Sequence, residues 1–434
     1  MADYKLTHKK AQSKFRNAIR QGMLHIFSTT VLNKIIAMLT NVVLVRVLTK
    51  NEFGYFSYAY NIVVIIASFS SLGVTNAILQ YGCESTDKGA WVKKEKTLFA
   101  IGLVSNLVCS VCTLLYALFV PLSMPEGKWV LAVLSFIPMA HFLFSYVTMK
   151  MRVLEKNKEY ALVTNLQSFA YFIAACLGGY LFSIQGTTVG RYIGYFVPVF
   201  IGFCLIRKDF SSVKNATLTR DCKEEIKYSF WVLLNNASSS VFNYFGVLII
   251  GIVVSDAGVL ADYRVATQIP TALVALPMAI ATFIYPKFVR NQDNPKWIIK
   301  NYHLVQVGLG AINLFILIGS IVLAPWIIKI MYGADYVNAV YPFRVLMVSY
   351  FVSGTFRTLT GHVLSMLHQV KALFFLGISA CVVNIVADFV LIKIYGSVGA
   401  AYATLMVVIV ESLISTAYFY WFLRKKTHAK DRIE

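Results

Sequence analysis

Charge is scarce in these 434 residues: only 14% are Asp, Glu, Lys or Arg, where a soluble globule carries roughly a quarter. Acidic residues are the scarcer kind, 20 against 40 Lys and Arg, which leaves a formal net charge of +20. That excess does not make a nucleic-acid face, because the positive charge sits in short connectors between runs too apolar to stay in water. Cysteine supplies no framework either. Cys83, Cys109, Cys112, Cys176, Cys204, Cys222 and Cys381 lie mostly inside apolar stretches, as small packing residues do and a disulfide scaffold does not. Cys109 and Cys112 form a CxxC, but without a second pair to complete a zinc site. The chain lacks Gly-x-x-x-x-Gly-Lys-Ser/Thr, Gly-x-Gly-x-x-Gly after a strand, and His-Glu-x-x-His. The missing P-loop argues against an internal ATPase, and the usual signatures of a dinucleotide site and a zinc hydrolase are absent too. No Ser/His/Asp or Cys/His set stands out, and the histidines are scattered.

What is present is apolar: 58% of the residues are hydrophobic and the mean hydropathy is +0.66. A hydrocarbon core of about 30 Å needs about twenty apolar residues in helix, and the sequence holds about twelve such runs. They fall near 24–48, 55–80, 97–120, 128–149, 161–183, 190–206, 229–254, 263–284, 304–323, 341–366, 372–392 and 399–421. The expected fold is therefore an all-α polytopic membrane protein. Its parts are a basic arm 1–22, a six-helix bundle 23–206, a connector 207–228, a second six-helix bundle 229–421 and a basic tail 422–434. The first run is too long and too late for a signal peptide and reads as a retained helix.

Every second polar connector is rich in Lys and Arg. These are the arm (Lys5, Lys9, Lys10, Lys14, Arg16, Arg20), the loops at Lys88–Lys96, Lys150–Lys158 and Lys287–Lys300, the central connector, Lys371, and the tail (Arg424, Lys425, Lys426, Lys430, Arg432). The connectors between hold single charges such as Lys50, Lys128, Lys329 and Lys393. On the positive-inside rule this alternation predicts both termini on the cytoplasmic side.

The halves resemble each other. Gly54-Tyr55-Phe56-Ser57-Tyr58-Ala59-Tyr60-Asn61-Ile62 lines up with Ala261-Asp262-Tyr263-Arg264-Val265-Ala266-Thr267-Gln268-Ile269, and Gly186-Thr187-Thr188-Val189-Gly190 with Gly396-Ser397-Val398-Gly399. The two matches imply nearly one offset, 207 and 209 positions. A duplicated six-helix unit in parallel orientation follows, related by a pseudo-two-fold axis along the membrane normal.

A charge within the bilayer costs about 2.5–3.5 kcal/mol on insertion scales, so it faces a partner or a wet cavity. Lys34, Arg46, Arg191, Arg264, Arg344 and Arg357 are the basic ones; Asp388 and Glu411 are the acidic ones. Polar residues share their helix faces: Asn41 with Lys34, Gln268 with Arg264, Asn384 with Asp388, and Ser349, Ser353 and Thr360 with Arg357, while Asn236, Ser240 and Asn243 line one face of the seventh run. Mostly positive wet faces suit an anionic ligand such as phosphate. Near span ends, Arg46 and Arg191 can equally snorkel to headgroups. Asp388 and Glu411 divide between counter-ion and proton or sodium coupling.

Arg46-Val47-Leu48-Thr49-Lys50-Asn51-Glu52-Phe53-Gly54-Tyr55 resembles the Arg-x-Leu-x-x-x-Glu-Phe/Tyr-Gly segment of bacterial polysaccharide flippases, in the multidrug/oligosaccharidyl-lipid/polysaccharide (MOP) exporter superfamily. Tyr263-Arg264-Val265-Ala266, Tyr332-Gly333-Ala334-Asp335-Tyr336 and Gly396-Ser397-Val398-Gly399-Ala400-Ala401 are similar to that family's segments at the eighth, tenth and last helices, in order and nearly over the whole chain. The resemblance implies two six-helix bundles around a V-shaped cavity with alternating access. The substrate it implies is an undecaprenyl-diphosphate-linked oligosaccharide, the repeat unit of O-antigen, capsule or exopolysaccharide.

On that reading the chain is a transporter in the bacterial cytoplasmic (inner) membrane, needing no cofactor. The diphosphate would sit on Lys34, Arg46, Arg191, Arg264, Arg344 and Arg357, with Asn41, Asn236 and Gln268 beside the sugars. Tyr58, Tyr60 and Tyr244 are candidates for stacking on sugar rings. Expected partners are the lipid-linked oligosaccharide, the bilayer, a polysaccharide polymerase and a chain-length regulator, with no nucleic acid. A cation-coupled multidrug exporter of the same superfamily is the alternative, resting on Asp388 and Glu411. A membrane-embedded glycosyltransferase would need a sizeable external loop with acidic residues, and the longest here holds only Asp335.

Overall fold

The computed structural model describes residues 24–70, 72–367 and 369–431, and among them all regular structure is helical. In chain order the helices are α1 Leu24–Val47, α2 Lys50–Ser70, α3 Val74–Glu84, α4 Lys88–Phe119, α5 Gly127–Leu134, α6 Ile137–Val153 and α7 Asn157–Leu205. Then come α8 Arg207–Asn215, α9 Lys223–Val253, α10 Ala257–Leu273, α11 Ala275–Arg290, α12 Pro295–Tyr332, a 3-10 turn Ala334–Ala339, α13 Val340–Val352, a π-turn Ser353–Arg357, α14 Thr358–Met366, α15 Val370–Tyr395 and α16 Ser397–Asp431. The basic arm 1–22 and Arg432 lie outside the described residues.

Side-chain caps set several of these starts. Asp87 accepts from Gly89 and Ala90 N–H at 2.8 and 3.1 Å, Asp256 from Val259 N–H at 3.0 Å, and Asn294 from Trp297 N–H at 3.1 Å, each occupying an otherwise orphan donor. α2 opens with a capping box: the Glu52 carboxylate accepts from Thr49 N–H at 3.0 Å and Thr49 Oγ1 accepts from Glu52 N–H at 3.3 Å. This is the physical content of the Thr49-x-x-Glu52 core of the first family-like segment.

Nine described helices are long and apolar enough to cross a membrane, ten with the pair α2 and α3, which is bent by 42°. Two features separate that count from about twelve predicted runs. α7 covers 49 residues but leaves helical conformation at Phe182 (φ −134°) and Ser183 (φ 53°). A Cβ on Gly190 would strike Ala174 and Ala175, and one on Gly194 would strike Tyr171, residues a straight helix would hold about 25 to 35 Å apart. The chain therefore doubles back at Ser183 into two antiparallel arms seamed by Gly178, Gly186, Gly190 and Gly194. The second feature is the run Val340–Met366, divided by the π-turn.

Ser183 (φ 53°, ψ −137°) and Gly396 (φ 60°, ψ −139°) have the same backbone conformation. Each precedes a glycine, Gly186 or Gly399, that packs on the backbone of the residue eight earlier, Gly178 or Leu391. The halves thus share one hairpin, and its register pairs Gly399 with Gly186, one helical turn from the sequence pairing with Gly190. The second run of each half is also interrupted, for different reasons. α2 and α3 part at Gly73, whose φ is 71°, a conformation glycine takes without a Cβ penalty. α10 contains Pro270 and ends at Leu273; Pro277 follows in the first turn of α11, where its missing N–H leaves nothing unsatisfied.

The chain forms two compact units that do not follow the halves of the sequence. One gathers the stretches ending at Leu48, Ile66–Val120 and Lys128–Asn236; the other gathers Thr49–Ile65, Pro121–Gly127 and the chain from Ala237 on. The first has a core of Val74, Ile78, Leu98, Phe142, Tyr146, Val147, Met151 and Val163. The second has Tyr302, Leu309, Leu359, Val363, Leu364, Phe419 and Leu423. Exposed Val104, Val108 and Phe119 on α4, and Leu304, Val307 and Phe315 on α12, form apolar faces that suit lipid and not water.

Candidate functional site

In the second unit the π-turn sets the position of Arg357. Asn313 on α12, fully buried, donates to Thr355 Oγ1 at 3.1 Å and accepts from Tyr350 OH at 2.8 Å, holding the turn from both sides. The Arg357 guanidinium lies 4.8 Å from the Phe242 ring centroid and 2.6 Å from the Glu411 carboxylate. Of the two roles open to Glu411, the structure shows the counter-ion, and the charge of Arg357, expected on diphosphate, is offset by it.

Arg264 differs. Half-buried on α10, it stands 6.0 Å over the Tyr244 ring and has no carboxylate within ion-pair distance among the described residues. One turn on, buried Gln268 accepts from Tyr332 OH at 3.3 Å, and its Nε2 has no partner. Arg344 spends a donor on the Ile321 carbonyl at 3.2 Å. Asp388 is 1% exposed, with its carboxylate facing the backbone of Gly246. Its Oδ1 and the Nδ2 of neighbouring Asn384 lack hydrogen-bond partners. Unlike Glu411, Asp388 forms no ion pair among the described residues.

The first unit holds the other candidates. Lys34 is exposed on α1 with no partner among the described residues. Asn41 uses its amide on the Ala37 carbonyl at 3.0 Å. Arg46 is exposed in the last turn of α1, and Asn236 is exposed on α9. The Arg191 guanidinium carbon stands 4.0 Å from the Tyr171 ring centroid, a cation–π contact. The aromatic candidates on α2 belong to the second unit: Tyr58 is buried against Gly251, so its ring is unavailable to a sugar, and Tyr60 stacks on Phe56 at 6.0 Å.

Three polar assemblies escaped the sequence reading. The Glu95 carboxylate, 0% exposed, receives Lys150 Nζ at 2.6 Å and Tyr146 OH at 2.9 Å; Lys150, read as a loop charge, belongs to the last turn of α6 and is buried. The central connector is a folded part of the first unit. Lys94 pairs with Glu225 at 3.0 Å, Lys96 donates to the Lys214 and Ala216 carbonyls, and Thr97 exchanges hydrogen bonds with the Thr219 backbone. Lys156 pairs with Asp209 at 3.0 Å. In the second unit Lys50, read as a lone connector charge, meets Asp262 at 2.8 Å. Beside it burial pushes the Tyr336 phenol pKa up, helped by the carboxylates of Asp262 and Asp335, so the ring stays neutral beneath the Lys50 cation.

Among solved structures the chain resembles an inward-facing multidrug resistance MATE family transporter of the MOP superfamily, with TM-score 0.78 and 14% identity over 92% of this chain and 96% of that one. It also resembles lipid II flippase MurJ in an inward closed conformation, with TM-score 0.74 and 15% identity over 92% and 87%. Among curated proteins, an uncharacterized membrane protein in the cps region of Klebsiella pneumoniae is 21% identical over 409 residues, 90% of this chain and 79% of that protein. The fold is that of a MOP-superfamily transporter, a multi-pass membrane protein. Residues 19–292 match the polysaccharide biosynthesis protein family, and the chain belongs to it.

Proposed function

We propose that the protein flips an undecaprenyl-diphosphate-linked oligosaccharide repeat unit from the cytoplasmic to the outer leaflet of a bacterial inner membrane, by alternating access and for surface polysaccharide synthesis. The observation that carries this reading is the union of a polysaccharide-biosynthesis family with a transporter fold. A glycan intermediate that must cross a bilayer is lipid-linked, and its diphosphate needs cations inside the membrane. Lys34 and Arg264 supply positive charge that no described carboxylate cancels, and Arg191 and Arg344 add to it. Arg357 contributes less, because Glu411 offsets it. The outer-leaflet product would pass to a polymerase and its chain-length regulator.

The test is export in a strain deprived of its own repeat-unit flippase. Replacing Lys34 and Arg264 together by Ala is expected to cut surface polymer at least tenfold with the protein still in the membrane. Arg357→Ala alone is expected to harm stability by baring Glu411, and Arg357→Ala with Glu411→Ala to recover it. Polymer unchanged in the Lys34/Arg264 double variant removes the diphosphate role. The multidrug alternative leans on an acidic cavity, and pairing of Glu411 leaves it Asp388 alone; drug resistance dependent on Asp388 with normal glycan export would favour it.

A further inference from the structure

We propose that Lys50, Asp262 and the Ala334–Ala339 turn form a latch that closes the end of the protein predicted to face the exterior, and that it parts and re-forms in each transport cycle. The proposal rests on the transport reading above. Three contacts within the second unit carry it, and they fall at 50, 54 and 58, successive turns of one face of α2. At the rim, Lys50 Nζ is 2.8 Å from the Asp262 carboxylate, 2.9 Å from the Asp335 carbonyl and 5.4 Å from the Tyr336 ring centroid. One turn deeper, Gly54 lies so close to the start of α10 that a Cβ would meet the Ala257 carbonyl. Deeper again, the Tyr58 ring lies on Gly251 of α9.

By sequence α2 belongs to the first half, yet its opening residues, with Pro121–Gly127, cluster with the helices of the second. The chemistry of this joint is that of a fastening made to open. The ion pair is part-wet, with Lys50 24% and Asp262 5% exposed at the side chain, so both groups find water at once when they separate. Gly54 brings no side chain to unpack. Of the Asp262 carboxylate, only Oδ2 is engaged by Lys50, while Oδ1 makes no hydrogen bond of normal length, so water can replace what the joint gives it. A permanent joint would interlock apolar side chains and bury its charges completely, as the Glu95–Lys150 pair does.

Asn61 lies on the same face of α2 and is fully buried. The test is labelling of Asn61→Cys by a membrane-impermeant maleimide on intact cells and on inverted vesicles, counted above the native cysteines. Lys50→Ala, Asp262→Ala and Gly54→Ala are each expected to raise labelling on intact cells about fivefold, by shifting the population towards the open form. The exchange Lys50→Asp with Asp262→Lys is expected to return it to within about twofold of the parent, because it restores the attraction. Immunoblotting of membranes shows whether each variant is made, and Lys50→Arg, expected to behave as parent, checks that substitution at this site is tolerated. No rise in any single variant, a rise confined to inverted vesicles, or an exchange no better than the single changes overturns the latch. Labelling that responds as expected while the parent chain exports no polymer keeps the latch and overturns the flippase reading.

Discussion

Glu95 and Lys150 show how much a single residue's meaning depends on a partner 55 positions away. Alone, Lys150 reads as a topology marker at the end of an apolar run; in the folded chain it balances a carboxylate with no access to water. Removing one member leaves a bare buried charge, at a cost of about 3–5 kcal/mol, whereas removing both is often nearly neutral. Lys150→Met is therefore expected to lower the unfolding temperature of the detergent-solubilised protein sharply, and adding Glu95→Gln to restore most of the loss. Equal destabilisation in the single and double variants would show that packing, not charge, is at stake. Arg357 and Glu411 repeat the lesson: each stood out as a charge inside an apolar run, and only the folded chain showed that they pair with each other.

At the scale of elements much more was legible, because helix limits depend on residues a few positions apart. The apolar runs locate the rods, while the starts set by Asp87, Asp256 and Asn294 came from the structure, although each cap acts through residues only two or three positions away. The hairpin at Ser183 was visible as a gap between two runs, but not its register, which is set by glycines meeting across the turn. Ser183 holds a backbone conformation that Gly396 adopts freely at the matching place. Ser183→Gly is accordingly expected to stabilise the protein by about 1 kcal/mol, read as a rise in the detergent unfolding midpoint with export unchanged; a fall in that midpoint would mean that the serine is not strained. The π-turn at Ser353–Arg357 had no sequence signature. The side chain that holds it, Asn313, comes from another helix and binds Thr355 and Tyr350.

For the whole molecule, the candidate charges fall into two units, and only some stay free to act. Asp388 is buried and unpaired by a base where Glu411 is paired, so ion coupling, where it occurs, is expected to run through Asp388. In reconstituted vesicles Asp388→Asn should abolish stimulation of lipid-linked oligosaccharide flipping by a proton or sodium gradient, while Glu411→Gln with Arg357→Met should retain it; stimulation surviving in Asp388→Asn removes that role. The sequence by itself determined a multi-pass helical protein, the apolar runs that form its helices and the family-like segments, since each rests on composition or on residues close along the chain. Only the tertiary structure decided that the connector folds into the first unit, that the opening of α2 joins the second, and which intramembrane charges are cancelled. Those outcomes depend on side chains brought together from distant positions, such as Lys50 and Asp262, 212 residues apart, and local periodicity carries no trace of such pairings.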